Sequence, residues 1–339
     1  MLMKNIILML DTKIIMTVFI DRIIPQIGLD LLQKAGISYE QHKENRELTP
    51  EELIDRCKRH DALLSAGWGP LDKSFLNTCK HLKVISLHSV GYDRVDVKEA
   101  TALRIPVGNT PDVLSEATAD TAFLLMLTVS RKAIYLHKKI IKGEWGFSQP
   151  IDDLGFSLNG KTLGIFGLGN IGFELAKKAK AAFNMPIIYH NRSNNKIAER
   201  ELDAKKVSFD ELVKESDVLA AFSSLTPETK NKFDAAVFNK MKSSAIFINA
   251  SRGGVHNEDD LIMALKTKTI WGAGLDVTNP EPMKPDNPLL EMPNVAVFPH
   301  IGSATVEARD GMATLAAENV IAALSGQRLP NIVNPEVYQ

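Results

Sequence analysis

Short apolar runs alternate with amphipathic stretches along most of the chain. Runs too short for a helix and too uniformly apolar for a half-exposed strand fit the interior of a parallel sheet covered by helices on both faces. Two such series follow one another. In the first, Thr17–Ile20, Ala62–Ser65, Val84–Leu87 and Ile105–Val107 read as strands, and Thr49-Pro50-Glu51-Glu52 is a capping box with proline at the first helical position. The second follows a long helical stretch, Ser115–Ile141. Its strands are Thr162–Phe166, Pro186–Tyr189, Val218–Phe222, Ala245–Asn249, Trp271–Asp276 and Val295–Phe298, enough for a complete doubly wound sheet. The apolar helix at about Thr305–Ser325 has no strand of its own to cover, so it either returns to the first domain or serves a subunit contact. The favoured division is a discontinuous first domain, 1–113 with 306–339, and a second domain, 114–305, joined near Pro111-Asp112 and Ser303-Ala304.

Composition narrows the function classes. A chain of 339 residues is long enough for two domains. With 40 Lys and Arg against 41 Asp and Glu, net charge is −1, so nothing calls for nucleic acid. The longest apolar stretches, such as Ala122–Val129, are too short to span a membrane. Cys57 and Cys79 are too few for a disulfide framework or a zinc site and read as reduced, buried residues. Residues 1–16 make a poor signal or transit peptide, because Asp11 interrupts the apolar run Ile6–Leu10; an extension upstream of a start at Met16 is the other reading. The expected compartment is the cytoplasm.

Gly167-Leu168-Gly169-Asn170-Ile171-Gly172 stands directly after an apolar strand and opens an amphipathic helix. In that context the pattern is a dinucleotide fingerprint. Gly167 permits the tight turn, Gly169 lets backbone approach a pyrophosphate, and Gly172 lets helix pack on strand, with the helix N-terminus facing the anion. About 20 residues on, an NAD site places a carboxylate against the ribose hydroxyls. This chain has His190-Asn191-Arg192-Ser193 there. Arg192 offers a planar fork to a 2′-phosphate, with Asn191 or Ser193 adding a neutral hydrogen bond, which predicts NADPH over NADH. The alternative is a solvated Arg192 and an enzyme that accepts both.

Three further segments each follow a strand of the second series: Asn249-Ala250-Ser251-Arg252-Gly253-Gly254, Leu275-Asp276-Val277-Thr278-Asn279-Pro280-Glu281-Pro282 and Phe298-Pro299-His300-Ile301-Gly302-Ser303-Ala304-Thr305. Arg252 can clamp the carboxylate of a 2-oxo acid and polarise its carbonyl. His300 can protonate the oxygen that becomes negative as hydride arrives, and Glu281 can orient the imidazole. Singly each has a bland reading: a surface arginine, a solvated loop acid, a satisfied histidine. Their ordered spacing, 29 residues and then 19, behind a dinucleotide fingerprint favours a joint role.

With Ser89-Val90-Gly91-Tyr92-Asp93 and Asn109-Thr110-Pro111-Asp112-Val113, these motifs resemble the D-isomer-specific 2-hydroxyacid dehydrogenases from about Thr17 onward, and among them the glyoxylate/hydroxypyruvate reductases. The resemblance implies two Rossmann-like and flavodoxin-like domains with an active-site cleft between them, a homodimer, and a small 2-oxo or 2-hydroxy acid substrate. It implies substrate binding at Val90, Gly91, Arg252, His300 and Ser303. Ser224, Ala250, Asp276 and Gly302 are implied against the cofactor. Two departures stand out. Ser148 occupies a position where such reductases often carry a tryptophan from the neighbouring subunit, and His256 stands where an aliphatic residue is more usual.

Other readings differ in what they predict. A D-lactate, 2-ketogluconate or 3-phosphoglycerate activity keeps the mechanism and changes the substrate. The short segment after the last helix leads us to expect no extra regulatory domain, and Glu281 argues against the formate dehydrogenase branch, which has glutamine there. A cofactor-sensing corepressor would share the fold without turnover.

Overall fold

The structure, a computed structural model, describes residues 16–339, so the reading of the first residues lies outside it. Contacts divide the chain into two compact units, residues up to Pro111 with Arg309–Gln339, and Asp112–Ala308. Among the described residues no helix is long and apolar enough to cross a membrane.

The first unit contains β1 (Thr17–Ile20), α1 (Gln26–Lys34), β2 (Ser38–Gln41), α2 (Pro50–Cys57), β3 (Ala62–Ser65), α3 (Lys73–Thr78), β4 (Val84–Leu87), α4 (Val97–Ala102) and β5 (Val107–Gly108). Its sheet is parallel, in the order β2-β1-β3-β4-β5. Alternation decides which face each side chain covers. Val18, Ile20, Ala62, Leu64 and Val84 pack on one face with Leu29 and Leu32 of α1. Phe19, Leu63, Ile85 and Leu87 face α2, α3 and α4 through Leu53, Cys57, Phe75, Leu76 and Ala100. Both cysteines are free and buried. The capping box forms: Glu52 N–H donates to Thr49 Oγ1 at 3.3 Å and Thr49 N–H to Glu52 Oε2 at 2.9 Å. Two expectations needed correction. β2 carries no apolar run, because it is a largely exposed edge strand, and β5 starts two residues later than expected, at Val107, whose N–H donates to Asn334 Oδ1.

The second unit contains α5 (Ser115–Ser130), α6 (Ala133–Ile141), β6 (Leu163–Phe166), α7 (Asn170–Phe183), β7 (Ile187–His190), α8 (Lys196–Leu202), β8 (Lys205–Lys206), α9 (Phe209–Glu215), β9 (Val218–Ala221), α10 (Ala235–Phe238), β10 (Ile246–Asn249), α11 (Glu258–Lys266), β11 (Gly272–Leu275) and β12 (Val295–Val297). Its parallel sheet has the order β12-β11-β10-β9-β6-β7-β8. Ile246 and Ile248 point to the face covered by α5 and α7, while Phe247 points to that covered by α9, α10 and α11. The expected single helix from Ser115 to Ile141 is two, broken where Lys132 takes φ 55°. β8, a two-lysine edge strand, adds a seventh strand that shows no apolar signal.

The chain then returns. α12 (Val306–Leu324) contributes Ala316, Ala317 and Val320 to the α1 face of the first sheet, and Ser86 Oγ donates to Ala316 O at 2.9 Å. This is the return to the first domain that the unpaired apolar helix suggested. Small residues set how closely α1 and α12 pack. A Cβ on Gly28 would lie 2.9 Å from Ala313 O and 3.1 Å from Ala313 Cβ. Gly28→Ala is therefore expected to cost about 1–3 kcal/mol despite alanine's better helix propensity; chemical denaturation would read it, and an unchanged midpoint would mean that the two helices can part freely.

Candidate active site

The fingerprint folds as a strand, a turn and a helix. Gly167 takes φ 93°, and a Cβ there would lie 2.9 Å from Ser223 N; a Cβ on Gly172 would lie 3.0 Å from Ile165 Cγ2. Gly169 caps α7, and a Cβ built on it meets nothing within 4 Å, so its surface is open to an incoming group. The turn is held from the next strand. Leu168 N–H donates to Asn191 Oδ1 at 2.7 Å, and Asn191 Nδ2 donates back to Leu168 O at 2.9 Å. Asn170 Nδ2 donates to the Asp112 carboxylate. Ile171, in the first turn of α7, packs against the core.

The open turn lies at the sheet's topological switch point. β6 is first in sequence, its successor β7 lies on one side and β9 on the other, and parallel sheets bind ligands beyond the strand ends at such a point. Ser223, just past β9, buries a hydroxyl with no hydrogen-bond partner beside Gly167. An open glycine, a helix N-terminus and an orphaned hydroxyl suit a pyrophosphate-containing group. At the ribose end Arg192 and Ser193 are exposed. The Asn191 amide is occupied at both ends by Leu168, so the neighbours differ from those the sequence suggested: Lys206 Nζ donates to Arg192 O at 3.3 Å and to Asn194 Oδ1 at 3.2 Å. Ser224 is exposed, its carbonyl accepting from Thr229 Oγ1 at 2.6 Å.

Past β10, Ala250 is buried and Arg252 begins a turn that a buried amide network sets. Asn249 Oδ1 accepts from Ser251 N–H and Oγ, and its Nδ2 donates both to Arg252 O and to His256 Nδ1, each at 3.0 Å. For Nδ1 to accept, the proton of the neutral ring sits on Nε2, which is buried without a partner. Burial pushes the His256 pKa down to about 4. Arg252 Nη1 donates to Ser251 O at 2.8 Å. The next residue must be small: a Cβ on Gly253 would lie 1.8 Å from Thr278 O.

His300 and Glu281 meet. His300 Nδ1 lies 2.5 Å from Glu281 Oε1, with both side chains about a quarter exposed (24% and 29%). Asp276, only 2% exposed, sets the histidine loop. Its carboxylate accepts from Ile301 N–H at 2.8 Å and Gly302 N–H at 2.9 Å, while its carbonyl accepts from His300 N–H at 2.9 Å. Burial raises its pKa, against the opposing pull of those amides and of His300. His300 itself takes φ 54°, and a Cβ on Gly302 would lie 2.9 Å from Asp276 Oδ2. Ser303, half-buried, follows in the same loop. Glu258 holds the loop on the other side, accepting from Asn279 N–H at 3.1 Å and from Asn287 Nδ2 at 2.6 Å.

In the first unit, Val90 O accepts from Asn109 Nδ2 at 2.9 Å and Gly91 O from Ser89 Oγ at 2.8 Å. Their carbonyls are thus occupied, while their amides have no acceptor among the described residues. Ser223, Lys206, Asn249 and Glu258 were not singled out from the sequence. Only Lys206 carried any signal there, a cation one strand beyond Arg192.

A dinucleotide cradle beside a carboxylate-oriented histidine and an arginine is the constellation of a pyridine-nucleotide oxidoreductase. Residues 123–302 match the D-isomer specific 2-hydroxyacid dehydrogenase, NAD binding domain. The chain is 43% identical over 324 residues to a glyoxylate reductase of Thermococcus litoralis, covering 94% of this chain and 97% of the relative. It is 42% identical over 311 residues to a glyoxylate/hydroxypyruvate reductase B of Shigella flexneri, covering 91% and 95%. Among solved structures, a Thermus thermophilus protein superposes with TM-score 0.87 at 38% identity, covering 94% of this chain and all of its own (100%). An NADPH-dependent glyoxylate/hydroxypyruvate reductase of Sinorhizobium meliloti, in complex with NADP and malonate, superposes with TM-score 0.81 at 30% identity, covering 95% and 97%. The chain belongs to the D-isomer-specific 2-hydroxyacid dehydrogenases, and its second unit is their nicotinamide-dinucleotide-binding domain.

Two buried histidines make acid stability a readout. His256 and His88 both have pKa values pushed to about 4 in the folded chain, chiefly by burial. Unfolded histidines protonate near pH 6.5. The unfolded chain therefore binds more protons between those values, and stability present above about pH 6.5 is lost as pH falls towards 4. His256→Leu is expected to remove about 2 kcal/mol of that loss between pH 7 and 4.5; parallel denaturation curves at the two pH values would show it, and an undiminished loss would place His256 in a more polar setting.

Proposed function

We propose that this enzyme is an NADPH-dependent reductase of small 2-oxo acids, taking glyoxylate to glycolate and hydroxypyruvate to D-glycerate. The observation that carries it is the 2.5 Å contact between His300 Nδ1 and Glu281 Oε1. A carboxylate there fixes the ring and which nitrogen faces the substrate, and Nε2 is assigned as the proton donor. The reduced nicotinamide, when bound, supplies the hydride. Arg252 binds the substrate carboxylate and, lying beside the carbonyl, stabilises the charge that grows on its oxygen. The open amides of Val90 and Gly91 are proposed as further donors to that carboxylate, and Ser303 as a substrate contact from the histidine loop. His300 then gives its proton to the oxygen, leaving a neutral ring held by Glu281 until solvent reprotonates it. In the reverse direction the neutral ring is the base.

The preference for NADPH rests on the ribose end. Arg192 and Ser193 are exposed, no carboxylate stands at residues 191–194, and Lys206 supplies a second cation beside the same turn. The printed description of the Sinorhizobium relative, NADPH-dependent and bound to NADP, supports this reading. Gly167, Gly169, Asn170 and Gly172 are proposed at the pyrophosphate, with Leu168 and Ile171 packing beneath it and Ala250, Asp276, Gly302 and Ser224 bordering the cofactor.

The assembly is proposed to be a homodimer in the cytoplasm. Ile140, Ile141, Trp145, Phe147, Ile151 and Leu154 are all more than half exposed, Phe147 by 91%. Such a concentration of apolar side chains within one segment is expected to be covered by a second copy.

His300→Ala is expected to lower kcat by about a hundredfold or more while NADPH still binds, because only proton transfer is lost. NADPH oxidation followed at 340 nm, beside cofactor titration, reads both quantities; wild-type turnover across neutral pH would reject His300 as donor. Arg192→Ala and Lys206→Ala are each expected to raise the KM for NADPH about tenfold and to leave that for NADH nearly unchanged, since only the former carries the phosphate. Equal effects on the two cofactors would make these residues structural.

A further inference from the structure

The first unit has a ligand-sized feature that the reaction above does not use. Its strand order, β2-β1-β3-β4-β5, places a topological switch between β1 and β3, and the residues just past β1, β3 and β4 meet there. They and the start of α12 enclose a cavity of about 430 Å³, the scale of a small-molecule site. Its polar lining is basic: Arg22 after β1, His88 after β4 and Arg309 from α12, against apolar walls from Ile24, Pro25 and Ala66.

The two guanidiniums differ in how they are balanced. Arg22 is half-buried, paired with Glu47, and lies 5.8 Å from the Trp68 ring centre. The nearby Asp21 carboxylate, whose charge also acts on Arg22, accepts from Ser65 Oγ and from Ala66 and Gly67 N–H. Arg94 is spent on Ser65 and Gly69. Arg309 is half-buried, and its guanidinium has no hydrogen bond or ion pair among the described residues, while its backbone approaches the His88 ring. His88 is 6% exposed and lines the cavity, and its Nε2 is buried with no hydrogen-bond partner. A buried donor without an acceptor costs on the order of 1–3 kcal/mol unless something satisfies it. Burial and the Arg309 charge together push the His88 pKa to about 4, and burial with the Arg22 charge lowers that of Arg309. Burial is the first cause of both shifts, and a neighbouring guanidinium adds to each.

We infer that this cavity is an oxyanion-binding site, in which Arg309 and the Nε2–H of neutral His88 donate to a carboxylate or phosphate group and Arg22 supplies a second positive charge. Two sources share that chemistry: a free small anion, or the distal acidic group of a longer 2-oxo acid.

Inorganic phosphate is the first probe, titrated into the full chain while the His88 ring is followed by nitrogen-detected NMR. Arg252→Ala serves as background, so that anion capture at the proposed substrate arginine is not counted. Phosphate is expected to shift the His88 Nε2 signal saturably, and Arg309→Gln to weaken that binding at least tenfold, with Arg309→Lys recovering part of it. A His88 signal indifferent to phosphate, or equal affinity in Arg309→Gln with thermal stability intact, would overturn the assignment. Kinetics separate the sources. If the site holds a distal substrate group, Arg309→Gln raises the KM of a 2-oxo diacid about tenfold and leaves that of glyoxylate unchanged; if it holds a free anion, both KM values stay put and only phosphate binding is lost. Because phosphate binding is read without turnover, it stands or falls separately from the proposed reductase activity.

Discussion

All seven strands of the second unit run the same way, and this one constraint places its chemistry. A parallel strand delivers the following turn to the same edge as its neighbours, so the turns after β6, β7, β9, β10, β11 and β12 open side by side. Gly167, Arg192, Ser223, Arg252, Glu281 and His300 each come from one of these turns. Residues more than 130 positions apart in sequence need no special device to share an edge. Strand direction has already placed them, and hydrogen bonds need only set the final orientation.

Those final bonds are made by the buried Asp276 and Asn249 and the half-buried Glu258. Asp276 spends its carboxylate on two backbone amides of the histidine loop, Asn249 spends its amide on the arginine turn, and Glu258 holds the loop that carries the glutamate. Each is an oxygen or nitrogen withdrawn from water, a cost that is recovered only if every lone pair and proton finds a partner. The proposed catalytic groups are therefore positioned by residues whose own side chains are held by several hydrogen bonds.

What was legible in the sequence follows the same physics. Interior strands announced themselves because both their faces are buried: β1, β3 and β4 begin and end where the apolar runs do. The edge strands β2 and β8 did not, because Ser38-Tyr39-Glu40-Gln41 and Lys205-Lys206 face water and are strands only through pairing with a neighbour. The glycine loop, Arg252, Glu281 and His300 could be singled out because each lies just past an apolar run. Asn249 and Glu258 could not, since nothing local distinguishes a buried asparagine or a capping-turn glutamate from an exposed one. Nothing in the sequence marks His88, and burial alone cannot separate a satisfied ring from one whose Nε2 has no partner.

That distinction bears on how the two units differ. Both contain parallel sheets with a switch point, and a switch point creates a crevice whether or not a ligand uses it. In the second unit the crevice is lined by an open glycine and a helix N-terminus, which suit a diphosphate. In the first it is lined by two guanidiniums and an imidazole held neutral, which suit a smaller anion with directional acceptors. The same backbone rule thus yields two sites of different charge density, and the side chains at the ends of β1 and β4 decide what the first one can hold.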